Sequence, residues 1–315
     1  MRTVTFPLLA VLGLCGVTTA RAADLDYDYL RGAEYDPVPA PVLDWSGAYV
    51  GGHGGYTSGG LSQRDATQST LANYFSNRDI ESEFSVSKYL SLPGSRTHGA
   101  SFGAFAGYNV QFDEIVLGVE ADYTHTNQNS WSSNSINRIL TTSAGNSEVV
   151  SLSGTSNTRI NDYGSIRARA GYAFGNLLPY VTAGLAVGQV TINDTVAVQN
   201  YGYSATTYAA NQALTAGQQP VSVYNHGYAS FNPNYPLVRS TPTGQGAQTI
   251  PYAPTMLTAN ARTKTIGGAA LGFGLEYAIT PNILVRGEYQ YVLFQDFNGH
   301  QAELNTIRGG AAVKF

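Results

Sequence analysis

The stretch Ile115-Val116-Leu117-Gly118-Val119-Glu120-Ala121-Asp122-Tyr123 alternates between apolar residues and mostly small or charged ones. Because successive side chains of a β-strand point to opposite faces, Ile, Leu, Val, Ala and Tyr share one face, and Glu120 and Asp122 share the other. An apolar outer row and a polar or small inner row over about nine to eleven residues are typical of a barrel wall in a membrane. The stretch therefore predicts a membrane-crossing strand with two carboxylates facing the inside of a barrel.

Seven other segments follow the same pattern, three of them strongly and four weakly. The strong ones place charged residues on the inner face; they are Ser165 to Tyr172, Ile283 to Leu293 and Thr306 to Phe315. The weak ones are rich in glycine, which leaves interior room for long side chains in a narrow barrel. They are Trp45 to Tyr56, Gly99 to Phe112, Leu178 to Ile192 and Lys264 to Ile279. The predicted fold class is all-β: an eight-stranded antiparallel transmembrane β-barrel with long extracellular loops.

The connections between these strands alternate between short and long. Tight-turn residues occur at Asp113, at Gly175-Asn176 and at Thr280-Pro281-Asn282. The other connections are long and polar, except for a short last one near Asn298 to Gln301; the long ones run from Thr57 to His98, from Thr126 to Asn161 and from Asn193 to Thr263. Outer-membrane barrels have short periplasmic turns and long external loops, whereas a soluble β-sandwich needs no such alternation. We therefore expect a protein of the cell outer membrane with both chain ends in the periplasm.

The first 44 residues are expected to lie outside the barrel. Arg2 precedes an apolar run from Phe6 to Val17, and Ala20-Arg21-Ala22 follows, which is the pattern of a secretory signal peptide rather than of a membrane-spanning helix. This assigns residues 1–22 to the signal peptide, residues 23–44 to a proline-rich periplasmic tail and residues 45–315 to the barrel domain. The single cysteine, Cys15, falls within the signal peptide, so we expect no disulfide and no thiolate metal site in the mature chain.

Eight charged side chains are predicted to point into the barrel: Glu120, Asp122, Arg167, Arg169, Glu276, Arg286, Glu288 and Arg308. An eight-stranded barrel is only wide enough for side chains to fill it, and an isolated buried charge is costly, so opposite charges there must pair. The favoured interpretation is a structural salt-bridge network that seals the barrel. The sequence leaves open the alternative of a charged, gated or leaky channel.

Several motifs are similar to those of a known family. They are Asp44-Trp45-Ser46-Gly47-Ala48-Tyr49-Val50-Gly51-Gly52 after the proline-rich tail, Ala106-Gly107-Tyr108-Asn109, Gly118 to Asp122, Arg167 to Tyr172, Pro179 to Ala186 and the closing Val313-Lys314-Phe315. The mature chain thereby resembles the small outer-membrane β-barrels of alphaproteobacteria, a porin-like or major outer-membrane protein family with rhizobial, brucella-type and some hemin-binding members. The resemblance implies that Phe315 ends the C-terminal strand signal that the barrel-assembly machinery reads. The tyrosine-rich third external loop departs from the family pattern.

Four histidines, His98, His125, His226 and His300, fall on the predicted external side, while His53 lies within a strand. Histidine and tyrosine are common axial ligands of haem iron, and the resemblance includes hemin-binding members, so these four are weak candidates for hemin binding. An enzyme with a Ser, a His and an acidic residue at the outer rim needs a nucleophile of recognisable spacing, and the sequence has no such motif. We therefore expect no enzyme activity, no metal and no required cofactor.

The charge of the chain disfavours nucleic acid as a partner. Removal of the signal peptide takes Arg2 and Arg21 from the 17 basic residues and leaves 15 against 21 acidic ones, a net charge of about −6, whereas nucleic-acid binding needs a basic surface. The expected partners are outer-membrane lipid, lipopolysaccharide and the barrel-assembly machinery, and a monomer is favoured over a trimer. The predicted function is a structural and surface role in outer-membrane integrity; a small-solute porin is the second hypothesis and a hemin-binding surface receptor the third.

Overall fold

The computed structural model describes residues 43–237 and 248–315 of the protein. The predicted signal peptide, residues 1–22, lies outside the described residues, and so does the predicted tail apart from Leu43 and Asp44. From Leu43 onward the chain forms one compact unit. Among the described residues, no helix combines the length and the apolar character needed to cross a membrane.

The described chain is built mainly from long β-strands. In order, the elements are β1 (Gly47–Ser62), α1 (Gln68–Phe75), α2 (Asp79–Phe84), a 3-10 turn (Val86–Lys88), β2 (Ser95–Phe112), β3 (Ile115–Thr141), β4 (Asn146–Tyr172), β5 (Leu177–Ser204), α3 (Ala205–Gln212), β6 (Asn225–His226), β7 (Tyr228–Ser230), β8 (Ile250–Pro251), β9 (Thr255–Thr280), β10 (Ile283–Phe294) and β11 (Gln301–Lys314). The eight long strands, β1 to β5 and β9 to β11, pair antiparallel in chain order, and β11 pairs with β1 to close the ring. The predicted eight-stranded antiparallel barrel is confirmed.

The outward face of the barrel is apolar over the half that lies nearer the chain termini. On β3, Ile115, Leu117 and Tyr123 are exposed, while Glu120 and Asp122 between them are buried. We call this outward apolar surface the belt. Its limit on the side away from the termini is marked by Tyr56, Phe102, Tyr123, Ile166, Val187, Leu293 and Ile307, all exposed. So large an apolar surface is suited to lipid rather than water, and it follows the alternation predicted from the sequence.

Glycine allows β1 and β11 to close the ring tightly around large inward side chains. A Cβ atom on the inward-facing Gly51 would lie 2.3 Å from the carbonyl oxygen of Ala311 and 2.5 Å from the ring of Phe105. The outward-facing Gly54 has nothing within 4 Å of the corresponding position. Only the inward glycine is therefore required by packing, as expected for a narrow barrel.

The three predicted tight turns are present at the end of the barrel that holds the termini. Asp113 joins β2 to β3 with a φ of 51°, and Gly175 lies between β4 and β5 with a φ of 58°. Both angles fall in the left-handed region that tight hairpins use. Pro281 and Asn282 alone separate β9 from β10.

The prediction of a long loop from Thr126 to Asn161 is wrong. β3 continues to Thr141 and β4 begins at Asn146, and the two strands stay paired apart from a bulge after His125. Each of these strands has 27 residues and is about 90 Å long at about 3.3 Å per residue, far more than a membrane crossing requires. Outward positions become polar where the strands leave the belt, so the hydropathy alternation ends although the β-ladder continues.

The part of the protein beyond the belt, which we call the crown, consists of residues 63–94, 126–161, 193–237 and 248–263. Extensions of β3, β4, β5 and β9 form its wall, and the helices between β1 and β2 pack against that wall. The apolar contacts join Leu71, Phe75, Ile80, Val86 and Leu90 to Val150, Leu152, Val196 and Val198. The first predicted loop, Thr57 to His98, and the described parts of the third, Asn193 to Thr263, are therefore a mixture of strand, helix and coil.

Candidate functional site

The eight predicted lumen charges all lie inside the barrel, and we call them the lumen network. They come from β3, β4, β9, β10 and β11, and each is buried. Strand alternation positions them: Arg167, for example, points inward between the exposed Ile166 and Ala168. Four carboxylates face four guanidinium groups, so the network is neutral when all eight are ionised.

Arg167 links opposite sides of the lumen. Its Nη2 atom lies 2.7 Å from Oε1 of Glu120 and 3.3 Å from Oδ1 of Asp122, both on β3. Its Nη1 atom lies 2.5 Å from Oε1 of Glu288 and donates to the hydroxyl of Thr182 at 2.8 Å. Because β3 and β10 are four strands apart in a ring of eight, this one side chain spans the barrel.

Arg308 completes a cycle with the same carboxylates. Its Nη1 atom lies 2.9 Å from Oδ2 of Asp122, and its Nη2 atom lies 2.8 Å from Oε1 of Glu288. Arg167 and Arg308 thus alternate with Asp122 and Glu288 around the lumen. This arrangement keeps like charges apart, which a buried cluster requires.

Arg286 and Arg169 extend the network toward the chain termini. Arg286 contacts Oε2 of Glu120 and lies 3.8 Å from Oε2 of Glu288. Arg169 pairs with Glu276 and lies 3.9 Å from Oε2 of Glu120. Glu120 and Glu288 therefore each face three arginines, and these two are the most heavily shared carboxylates of the network.

Aromatic side chains complete the surroundings of these charges. The hydroxyl of Tyr49 donates to Oε2 of Glu120 at 2.9 Å, and that of Tyr180 donates to Oε2 of Glu288 at 2.8 Å. The guanidinium carbon of Arg169 lies 3.9 Å from the ring centre of Tyr180. Such rings attract the cation while they exclude water from it.

Some donors of the network have no hydrogen-bond partner among the described residues. They are the Nε groups of Arg167, Arg169, Arg286 and Arg308, and Nη2 of Arg286. An unpaired buried donor costs about 1–3 kcal/mol, and buried ion pairs are themselves expensive to desolvate. The network therefore contributes less to stability than its number of ion pairs suggests, and its main structural effect is to fill the lumen.

Apolar layers enclose the lumen network on both sides. Toward the termini, Trp45 is completely buried and its Nε1 donates to the carbonyl oxygen of Gly175 at 3.2 Å. The other side chains of this layer are Tyr49, Phe105, Val116, Leu178, Ala278, Leu284 and Ala312. Toward the crown, the layer includes Leu61, Ile160, Tyr163, Val190, Ile266, Val292, Phe294 and Leu304. Between these layers, the ion-paired side chains of the network are 0–2% exposed.

Three uncharged lumen residues are not among the predicted ones: His53, Tyr49 and Tyr180. Nε2 of His53 lies 3.3 Å from Nη1 of Arg308, and its ring stacks on Phe105 at 6.2 Å between centres. Alternation along the glycine-rich β1 places Tyr49 and His53 on the same inward face, so a count of every second residue would have found them. The prediction of lumen residues rests on formal charges, which these three side chains do not carry in their neutral forms.

The four candidate hemin histidines are separated rather than gathered. His98 is exposed on the outer wall, where it stacks on Tyr56, and His125 lies on the outer face with Nδ1 2.7 Å from Asp162. His226 belongs to the crown. His300 lies at the crown end as predicted, but it is completely buried and so is wrong as a hemin candidate: its Nδ1 is 2.8 Å from Thr158 and its Nε2 3.1 Å from Asp194. Among the described residues, no group of three His, Cys, Asp or Glu side chains is placed to hold a metal ion.

A hydrogen-bonded contact between Glu148 and His226 fixes the third connection to the crown wall. Glu148 on β4 is buried, and its carboxylate lies 2.8 Å from Nε2 of His226 and 3.0 Å from the side-chain amide of Asn200. Close by, Tyr228 packs against Tyr201 with 5.2 Å between ring centres, and burial raises the pKa of the Tyr228 hydroxyl. The segment that holds His226 and Tyr228 is thus attached to β4 and β5.

A closed ring of eight strands, an apolar outer belt and a filled, charged lumen define the class of membrane β-barrel proteins. The sequence matches the outer membrane protein beta-barrel domain family over residues 9–315, and the chain belongs to that family. It is a protein of the outer membrane, as predicted.

Curated relatives support this assignment. The chain is 34% identical over 187 residues to the 31 kDa outer-membrane immunogenic protein of Brucella melitensis, a match that covers 58% of this chain and 65% of the relative. It is 29% identical over 166 residues to the 25 kDa outer-membrane immunogenic protein of Brucella abortus, and this match covers 51% of this chain and 56% of the relative. It is 28% identical over 211 residues to the 22 kDa outer membrane protein of Rhizobium leguminosarum bv. viciae, and this match covers 65% of this chain and 75% of the relative. The chain thus spans less than two thirds of these Brucella relatives, and the predicted resemblance to alphaproteobacterial outer-membrane proteins is confirmed.

The matches among solved structures are more distant. Ail, the attachment invasion locus protein of Yersinia pestis, is 11% identical, with a TM-score of 0.31 and coverage of 86% of this chain and 99% of that one. Neisserial surface protein A is 13% identical, with a TM-score of 0.31 and coverage of 86% and 98%.

Proposed function

We propose that the protein is a non-enzymatic barrel, closed by its lumen network, that contributes to outer-membrane integrity and to the properties of the cell surface. The observation that carries this proposal is the burial of eight charged side chains between two apolar layers. A solute moving along the barrel axis would have to separate Arg167 from three carboxylates and displace Trp45. Both steps oppose flow, because they expose unpaired charges and open a packed apolar layer.

We further propose that the crown faces the cell exterior and that both termini lie in the periplasm. The tight turns at the terminal end and the large connections at the other end support this orientation. The Brucella relatives are named immunogenic proteins, so the crown is the part of this chain that we expect antibodies and other extracellular molecules to reach. In this view the exposed Phe315, whose backbone N–H donates to Ala48 at 2.9 Å, presents the end of the last strand to the assembly machinery.

The closed ring also favours a monomer. β11 pairs with β1 along 14 residue pairs, from Tyr49 with Lys314 to Ser62 with Gln301, so no strand from another copy is needed to complete the wall.

A small-solute pore is the second candidate. The lumen network is polar across the whole lumen, and the unpaired guanidinium N–H groups of Arg167, Arg286 and Arg308 are able to accept new partners if the side chains move. Hemin binding is the third candidate, and because His300 is buried, it would have to use His98, His125 or His226.

Solute flux through vesicles tests the closed lumen. The mature protein is refolded into phospholipid vesicles, and swelling is followed in isotonic solutions of sugars of increasing size. We expect the vesicles to swell no faster than protein-free vesicles, and we expect faster swelling with Arg167→Gln combined with Glu120→Gln. The matched control is Arg159→Gln. Arg159 is exposed and lies on β4, as Arg167 does, and its replacement should not change the rate of vesicle swelling. Swelling with the unaltered protein that falls with sugar size would instead establish the pore.

A further inference from the structure

A pocket on the outside of the barrel lies just beyond the belt. It has a volume of about 540 Å³ and is formed where the crown-side ends of β1, β10 and β11 meet the chain that leads from β1 to β2. The side chains and positions that matter for its chemistry are Arg64, Arg96, Glu303, Gly60 and Leu293. None of these residues belongs to the lumen network.

Glycine makes the floor of this pocket. Gly60 on β1 pairs with Arg96 on β2 and with Glu303 on β11, so the three residues form one row across the outer wall. A Cβ atom on Gly60 would lie 2.7 Å from a carboxylate oxygen of Glu303. Gly60 therefore allows the side chain of Glu303 to lie over β1, and a larger residue at position 60 would push that carboxylate aside.

The pocket has two arginines without partners. Arg64 and Arg96 are both exposed, and within the described residues their side chains make no ion pair and no hydrogen bond. Glu303 is occupied on one side, because the hydroxyl of Tyr291 donates to its Oε2 at 3.1 Å. With two guanidinium groups and one carboxylate the pocket is net positive, in contrast to the neutral lumen network.

The height of the pocket matches the headgroup region of a membrane. Gly60 is four residues beyond Tyr56 on β1, and Glu303 is four residues beyond Ile307 on β11, where Tyr56 and Ile307 mark the limit of the belt. Four residues correspond to about 13 Å along a strand, or roughly 10 Å along the membrane normal at a tilt of about 40°. Leu293, an exposed residue of the belt, lines the side of the pocket nearer the belt.

We propose that this pocket binds the phosphate group of an outer-leaflet lipid, with Arg64 and Arg96 as its ligands and the acyl chains against the belt below Leu293. The guanidinium group suits this task because its planar fork donates two parallel hydrogen bonds to a phosphate. The carboxylate of Glu303 limits the site to a ligand that also offers hydroxyl or amide donors, such as the sugar of a phosphorylated glycolipid. The choice of the outer leaflet depends on the orientation proposed above.

Native mass spectrometry of the mature protein in detergent tests the site, with bis-phosphorylated lipid A as the probe. Arg64→Gln combined with Arg96→Gln should weaken retention by about tenfold or more, since two charge-assisted contacts are lost. The matched control is Arg138→Gln combined with Arg159→Gln. It removes two exposed arginines of the crown that lie outside the pocket, and it should leave the retention of lipid A unchanged. Gly60→Val keeps both arginines, fills the floor, and should cause the same loss as the double Arg64 and Arg96 variant.

Heat-modifiable migration on gels shows that each variant has folded before it is compared. Equal retention by the Arg64 and Arg96 variant and the unaltered protein would overturn the proposal, as would displacement of the lipid by about 10 mM inorganic phosphate, which would make free phosphate the ligand. The same Arg64 and Arg96 variant should leave vesicle swelling unchanged. A failure of the lipid site is thereby distinguishable from a failure of the closed lumen.

Discussion

Replacement of Arg167 by methionine tests the energetic role of the lumen network most sharply. Arg167 pairs with Glu120, Asp122 and Glu288, and it donates to Thr182. Methionine is uncharged and flexible and fills the space of the aliphatic part of the arginine, so the substitution removes these contacts with a smaller loss of packing than alanine would cause.

The structure sets the size of the expected effect. Removal of one partner from a buried ion pair costs about 3–5 kcal/mol, because the remaining charge is left uncompensated. Three carboxylates lose a partner here, but Glu120 keeps Arg286, and Asp122 and Glu288 keep Arg308. We therefore expect the free energy of unfolding to fall by about 4 kcal/mol, and not by three times that amount.

Reversible urea unfolding in lipid vesicles, followed by tryptophan fluorescence, measures this loss. The completely buried Trp45 reports on the layer next to the network. Arg159→Met on the same strand is the control: its side chain is exposed and has one 3.4 Å contact to Asn127, so the expected change is below about 0.5 kcal/mol. The loss in Arg167→Met should persist in 1 M salt, because buried pairs are poorly screened. A change of less than about 1 kcal/mol would refute the assignment of Arg167 as the central partner of the three carboxylates.

Three further predictions concern other parts of the barrel. Trp45→Ala should lower the free energy of unfolding by about 3–5 kcal/mol in a urea titration followed by circular dichroism, because it empties a fully buried position; an effect under about 1 kcal/mol would contradict its place in the layer. Gly51→Ala should reduce the heat-modifiable, folded fraction, while Gly54→Ala, which meets nothing within 4 Å, should not; equal folding of the two variants would contradict the close approach of β1 to β11. Glu148→Gln should increase the rate of chymotrypsin cleavage of the segment around His226 by on the order of tenfold. That factor corresponds to a loss of about 1.5 kcal/mol from a weakened hydrogen bond to a carboxylate. An unchanged cleavage rate would mean that this contact does not hold the segment.

The parts of the fold that lie within the membrane could be predicted from the sequence because lipid imposes a strict alternation. An outward side chain there must be apolar, so the charges at Glu120 and Arg167 can only point inward, and their burial in one network follows from the narrow ring. The tight turns at Asp113 and Gly175 could be predicted for a similar reason, since few residue types tolerate their backbone angles.

The crown could not be predicted in the same way, because water accepts polar side chains on both faces of a strand. From Thr126 to Thr141, β3 carries Ser, Thr and Asn outward and inward, so its sequence looks like a loop although its backbone is paired with β4 from Gln128 onward. The burial of His300 was missed for a related reason. Its partners Thr158 and Asp194 come from the extensions of β4 and β5, and the sequence predicts loops for both extensions.

The contacts of the uncharged lumen residues depend on packing across the barrel rather than on the local sequence pattern. Tyr49 and Tyr180 donate to carboxylates on β3 and β10, and no feature of their own sequence neighbourhoods names those partners. The same holds for the row of Arg96, Gly60 and Glu303, because only the register of β1 with its two neighbours brings the three together.

Single-channel recording in a planar lipid bilayer tests the closed lumen most directly. The refolded mature protein should produce no steady conductance, because the ion-paired side chains of the lumen network are 0–2% exposed and lie between apolar layers. Steady channels from the unaltered protein, with an ion preference that shifts when Arg167 or Glu120 is neutralised, would contradict the account and identify the lumen as a pathway for solutes.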